Sequence, residues 1–294
     1  MSIQVFQNIK DAIRDLDPED IRRHTERPLR FFLYASREQD FREMEQFLLP
    51  PELSAAKRAQ VLRLIYRVSN SAIPSDRNDL EIFYGDSGDL GSPGVFAFDP
   101  ANPRATVDLV LARRPDLAVP LAIHALPFRQ EVSRRMVKKI ARENALFALA
   151  TAVPDIIPFL TLPWAVGEFA SDTAVLTANQ IRLAFLLAAA NDRDVGYREQ
   201  RAEIGTIILG AFGWRSLARE LVGMIPWGGG LIPKAAIAYA GTRVAGMSLE
   251  RYYRLGKAYT RAERRAAYED ALQRGRHLVG GIMEGFQQRN RRRT

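Results

Sequence analysis

The rhythm of apolar and polar positions changes several times along this chain. Residues 3–15 place Val5, Phe6, Ile9 and Ile13 on one face at helical spacing, which predicts a short amphipathic helix. Residues 30–35, RFFLYA, follow Pro28 as a compact run of β-prone side chains and predict a strand. The spacing then predicts two helices. One covers 37–48 and stops at Pro50-Pro51; the other covers 54–68 and opens on Ser54 as its cap. LEIFY at 80–84 and VFAF at 95–98 predict two more short strands, separated by the turn-rich GDSGDLGSPG. Helical spacing returns at 106–113 and 116–126. Strands and helices in this mixture predict a small α/β layer.

From residue 129 the pattern is helical throughout. Residues 129–150 start basic (RRMVKKIAR) and end apolar, and this shift of composition marks a domain boundary near Phe128. Between 143 and 256 apolar helical runs are broken by Pro and Gly where helices stop, bend or pack closely. Helices are expected at 167–190, 199–214 and 215–224, the last two hinged around Gly210 and Gly213. Pro226-Trp227-Gly228-Gly229-Gly230 reads as a tight turn, and Pro233 suits the start of the next helix. That helix carries Ala235, Ala236, Ala238, Ala240, Gly241, Ala245 and Gly246, small side chains that admit a close neighbour. Residues 261–288 read as a polar, basic helix fraying into RNRRRT. PDIIPFLTLP and MIPWGGGLIP echo one another, either as two hairpins inserted in related ways or by chance. The fold class expected is α+β: a small α/β N-terminal layer over 1–128, then an all-helical apolar domain over 129–294.

Charge sharpens this picture. The chain of 294 residues carries a net +8, and residues 251–294 hold twelve Lys/Arg against four Asp/Glu, so the tail accounts for the whole excess. A local basic segment points to an anionic partner. The chain has no cysteine, which excludes disulfides, thiolate metal sites and a cysteine nucleophile together. The N-terminal residues include acidic side chains where a secretory signal would have an apolar core. The longest charge-free run in the central block is 221–233, shorter than the ~20 apolar residues of a span. Residues 144–167 are long enough, yet they contain Asp155, and a carboxylate at bilayer depth costs roughly 2.5–3.5 kcal/mol. A standard span is not expected. A buried hairpin, or a re-entrant or interfacial one, stays open.

Motifs for chemistry are missing. A phosphate loop needs GxxxxGK[ST], and the first strand-to-helix turn is instead Ala35-Ser36-Arg37-Glu38. No GxGxxG follows a strand, and no GxSxG frames Ser36 or Ser171. His24, His124 and His277 lie too far apart in sequence for metal-ligand spacing and read as ordinary residues. Asp155, Glu168 and Asp172 sit near apolar sequence and could form a carboxylate cluster, but the better reading is that Glu168 and Asp172, at i and i+4, face polar surface or pair with Arg182 or Arg219. Trp164 and Trp227, each beside a Pro, suit a membrane interface and a packed turn equally well. Catalytic, cofactor-binding and metal residues are therefore expected to be none, and no cofactor is expected.

AVPDIIPFLTLPWAVGEFASDTAVLTANQIRLAFLLAAA, AFGWRSLARELVGMIPWGGGLIPKAAIAYAGT and LERYYRLG together resemble a bacterial domain of unknown function, over about residues 145–256. That domain follows the G domain in some Era-like GTPases and also occurs in inner-membrane proteins. Asn179-Gln180, the stretch 210–219 and IPWGGGLIPKA are the most specific parts. The resemblance implies an all-helical, apolar, membrane-associated module with no assigned catalytic residues. Where GTPase relatives carry a G domain, this chain has a layer without a phosphate loop. That layer is either an interaction domain or a degenerate G-domain-like one, and no nucleotide hydrolysis of its own is expected.

The expectation is a non-enzymatic, membrane-associated helical protein on the cytoplasmic side of the inner membrane, the alternative being a soluble scaffold. Its basic C-terminal helix is expected to meet anionic membrane lipid at ~1 kcal/mol per Lys/Arg near the surface. The N-terminal domain is expected to take a protein partner, and the hairpins to insert shallowly or to form a homo-oligomer. The tail has no nucleic-acid recognition motif, so nucleic acid is disfavoured.

Overall fold

The computed structural model describes residues 16–68, 79–85, 94–151, 172–208 and 231–291, together with Asp11 and Ile13. The chain divides into two compact units. One holds Glu19–Arg134 with Ala188–Asp194, and the other Met1–Pro18, Arg135–Leu187 and Val195–Thr294. The architecture is α+β, with a small parallel sheet in the first unit and helices among the described residues of the second.

The sheet unit begins with α1 (Pro18–Thr25), then β1 (Arg30–Tyr34), α2 (Glu38–Leu48) and α3 (Ala55–Leu62). β2 (Ile65–Val68), β3 (Asp79–Tyr84) and β4 (Val95–Phe98) follow, then α4 (Pro103–Arg113) and α5 (Ala118–His124). Four strands pair in parallel in the order β2-β1-β3-β4, with Phe31 opposite both Ile65 and Leu80. A parallel sheet needs cover on both faces, and its strands are accordingly apolar. Phe31, Leu33, Leu80, Ile82 and Phe96 are almost wholly buried.

The structure corrects the helix expected over 54–68. Ser54 does cap α3, its Oγ accepting from the Lys57 amide at 3.2 Å, but the helix ends at Leu62. Residues 65–68 are instead the strand β2, and the Phe31 amide donates to the Leu64 carbonyl oxygen at 2.8 Å on entry. Val61, Leu64, Ile65 and Val68 suit a helical stripe, so spacing alone favours continuation. The open edge of β1 overrides it, because its backbone groups need a partner and Ile65-Tyr66-Arg67-Val68 is β-prone.

The helical unit is built from the larger part of α6 (Leu126–Ala150), from α7 (Asp172–Ala190), α8 (Leu231–Leu255) and α9 (Arg261–Arg291), and from helical residues 201–208. Small side chains set its packing. A Cβ added at Gly246 would meet Leu183 Cδ2 and Val137 Cγ2 at 2.8 Å, so α8 approaches α6 and α7 closely there. Where those helices cross, Asn144, Asn179, Gln180 and Thr242 are buried and joined. Asn179 Nδ2 donates to Asn144 Oδ1 at 2.6 Å, Asn144 Nδ2 to Thr242 Oγ1 at 2.7 Å, and Gln180 Nε2 to Thr242 Oγ1 at 3.3 Å. Buried amides left without such partners would cost roughly 1–3 kcal/mol each, so the network fixes which faces meet.

α9 is more than the polar, basic helix its composition suggests. Tyr268, Ala271, Leu272 and Val279 form a buried stripe against Ala235, Ala236, Tyr239, Ala240 and Val244 of α8. Burial pushes the Tyr268 hydroxyl up to about 12. The N-terminal residues join this unit through Tyr197, whose hydroxyl shares its proton between the Ile13 and Leu16 carbonyl oxygens at 2.7 and 2.6 Å.

Candidate functional site

The sheet order places a change of winding direction between β1 and β3. Open parallel sheets take ligands beyond the carboxyl ends of their strands at such a point. Here Arg37, the residue before α2, donates from Nε and Nη2 to both oxygens of Asp40, at 3.0 and 2.8 Å. The Asp40 side chain is 8% exposed, so the pair closes the start of α2. At the end of β3 the Tyr84 hydroxyl donates to Glu43 Oε2 at 2.5 Å, and this bond to a carboxylate, more than its partial burial, pushes the phenol up. Arg67 of β2 donates to Glu45 at 2.6 and 2.8 Å and to Glu38 at 2.9 and 3.0 Å. Those bonds hold the Glu38 carboxyl below its usual range. Each of these cations is already met by carboxylate. The edge is an ion-pair lattice, unlike a cradle of free backbone amides and lysine that would receive phosphate. Ser36 lies exposed in the loop beside Arg37.

The other residues singled out in the sequence separate in space or fall elsewhere. His24 is exposed, its Nδ1 2.6 Å from the Asp20 carbonyl oxygen, and His277 is exposed on α9. His124 is largely buried in the sheet unit. Among the described residues no three His, Asp or Glu side chains converge as a metal site requires. Arg182 pairs with Glu143 at 3.4 Å, a partner that sequence spacing did not suggest. Asp155, Glu168, Ser171, Arg219, Trp164 and Trp227, the Asp172 side chain, the first Pro-rich echo and the part of the second before Leu231 lie outside the described residues.

The helical unit brings several chain ends together. Lys234 Nζ lies 3.3 Å from Thr151 Oγ1, so the first turn of α8 meets the last residue described after α6. Asn144 and Thr242 pair further along, while Val137 and Leu183 flank Gly246. α7 and α8 therefore run in the same direction, antiparallel to α6. The start of α7 lies at the same end, since Leu176 offers its carbonyl oxygen to Asn144 Nδ2 at 3.4 Å. α9 returns along α8, with Leu278, Ile282 and Met283 packed beside Leu149 and Ala235. Thr151, the start of α7 and the start of α8 thus lie at one end of the unit. The C-terminus of α9 passes the same end.

One described helix, α7, has the length and composition of a membrane span over Thr173–Ala190. That stretch is 78% buried within the protein, as the core helix of a water-soluble bundle also is. No protein-family model matches the chain, and neither does any curated protein or solved structure.

Proposed function

We propose that this chain is a non-enzymatic, membrane-associated helical protein on the cytoplasmic face of the inner membrane. One observation carries the reading: the Thr151–Lys234 contact brings the residue before one Pro- and Gly-broken apolar segment against the helix that follows the other, and α9 packs back towards the same end of α8. The apolar segments supply interfacial side chains, Trp164 and Trp227 among them, and Arg289, Arg291, Arg292 and Arg293 follow on α9 and beyond it. Apolar burial and attraction to acidic headgroups reinforce one another when they act at one place. The buried amide network and close small-residue contacts hold that pole in shape from behind. The sheet unit, its carboxyl edge closed by ion pairs, serves in this reading as a protein-binding module.

Extraction of the native cell's membranes, first with high salt and then with alkaline carbonate, tests the reading. Retention through salt with at least partial retention through carbonate is the expected result. Release by salt alone would leave the basic end as the sole attachment. Protein found in the soluble fraction from the outset overturns the membrane reading in favour of a soluble scaffold.

A further inference from the structure

The opposite pole of the helical unit has a chemistry of its own. α8 runs from Leu231 to Leu255, so its far end lies about 32 Å from Lys234. There the chain turns through 256–260 into α9. Gly256, at φ +71°, closes α8 by donating its amide to the Tyr252 carbonyl oxygen at 2.8 Å. Thr260 and Glu263 form a reciprocal capping box, with Thr260 N to Glu263 Oε2 at 2.8 Å and Glu263 N to Thr260 Oγ1 at 3.3 Å. Arg251 ties the two helices, donating to Glu263 Oε1 at 2.6 Å with its guanidinium 5.3 Å from the Tyr259 ring centre. The Tyr259 amide donates to Ser248 Oγ at 3.1 Å. This turn is fixed by four separate devices.

On that rigid turn two large apolar side chains point outward. Tyr252 is 38% exposed and Leu255 is 54% exposed, the most of any large apolar side chain among the described residues. At i and i+3 they share one face. On the same turn and the helix ends that enter and leave it are Arg251, Arg254, Lys257, Arg261 and Arg264, with Glu250 and Glu263. Arg251 and Arg254 are engaged by those carboxylates. Lys257, Arg261 and Arg264 are exposed and have no ion pair among the described residues.

We infer that this turn is a docking surface for an acidic, apolar-anchored segment of a partner protein. The apolar pair in a basic rim has the composition of an interface centre, where Tyr and Arg are enriched and lysine is held to the edge. Free cations supply charge complementarity to Asp and Glu. An aliphatic anchor at the centre of the rim disfavours an unbroken row of phosphates, which would find nothing directed at it. The surface goes beyond the membrane reading and stands whether or not the other pole meets a bilayer.

The test uses the purified full chain and a fluorescein-labelled amphipathic peptide with Leu at i, i+3 and i+4 among Glu residues, read by anisotropy. Three competitors of matched charge accompany it: an all-Glu peptide, a single-stranded oligonucleotide and phosphatidylglycerol vesicles. The Leu-bearing peptide is expected to bind more tightly than the all-Glu peptide. Tyr252→Ser with Leu255→Ser, and separately Lys257→Glu with Arg261→Glu, should each weaken it by about tenfold or more. All four positions are exposed, and melting curves matching the parent show that each variant is folded. Equal binding of the two peptides, or indifference to both variants, overturns the inference. So does tighter binding of the oligonucleotide or the vesicles that the same variants abolish. Loss of self-association in the Leu255 variant, seen by sedimentation, would assign the surface to a second copy and overturn it too.

Discussion

His124, in the last turn of α5, is a basic side chain set in a place that disfavours its charged form. Its Nδ1 is buried with no hydrogen-bond partner among the described residues. Burial, and then the charge of Lys57, push the imidazole below its usual 6.5, with Asp192 opposing. Lys57 Nζ is itself paired with Asp192 at 2.6 Å, so the net repulsion is modest and burial dominates. The sign follows from proton linkage. In the unfolded chain the imidazole protonates near 6.5, whereas the folded protein resists protonation until a lower pH. Stability is therefore full above about 6.5 and declines as pH falls, because the unfolded state binds more protons there. Urea midpoints measured at pH 7.5 and 5.5 should show a drop for the parent and a flatter response for His124→Gln. A variant with the parent's full pH response would remove the imidazole as the cause. Asn144 is the other residue whose role emerges only in three dimensions. In the sequence it is one amide in an apolar run, and its partners Asn179 and Thr242 lie on two further helices.

α8 and α9 show how far an element can be read from its own residues. Gly275 and Gly281 look equivalent in the sequence of a basic helix, yet only the first is at a close approach. A Cβ at Gly275 would lie 3.0 Å from the Ala236 carbonyl oxygen and 3.2 Å from Tyr239 Cδ1, while nothing stands within 4 Å of one at Gly281. Gly281→Ala should stabilise the protein by ~0.5–1 kcal/mol, the usual helix gain over glycine. Gly275→Val should destabilise it by ~1–3 kcal/mol through overpacking against backbone that cannot rotate away. Thermal melts moving in opposite directions are the expected result, and both moving upward would mean the helices slide apart freely. Three strands were legible because RFFLYA, LEIFY and VFAF are dense apolar runs bounded by turn residues. β2 was not, since its residues satisfy the helical period as well and only the waiting edge of β1 decides between them. The stripe on α9 was hidden by charge: Tyr268, Ala271, Leu272 and Val279 stand among ion pairs such as Arg274–Asp270 and Arg265–Glu269. The candidate poles were illegible for a different reason. They depend on which helix ends meet, and no local pattern encodes the Thr151–Lys234 contact.

At the scale of the molecule, the excess charge lies beyond the packing described for α9. Packing of α9 against α6 and α8 reaches Ile282 and Met283, whereas Arg289, Arg291, Arg292 and Arg293 come later, half of the chain's net +8 with no acidic residue among 286–294. Fold and membrane attraction are thus separable by truncation. A chain ending at Gly285 keeps every contact of the two buried clusters and should melt within a few degrees of the parent. Its affinity for strongly anionic vesicles at low salt should fall by about 4 kcal/mol, close to a thousandfold, if each lost Arg contributes ~1 kcal/mol near the surface. Screening lengths of ~10 Å at 0.1 M and ~3 Å at 1 M imply that the gap between the two chains narrows steeply as salt rises. What remains at high salt in both is the contribution of the apolar segments 152–171 and 209–230. Vesicle co-sedimentation across a salt series measures the two parts separately. Equal binding of parent and truncated chains at low salt would show that the Arg-rich end faces away from the bilayer, and the pole defined by Thr151 and Lys234 would lose its electrostatic half.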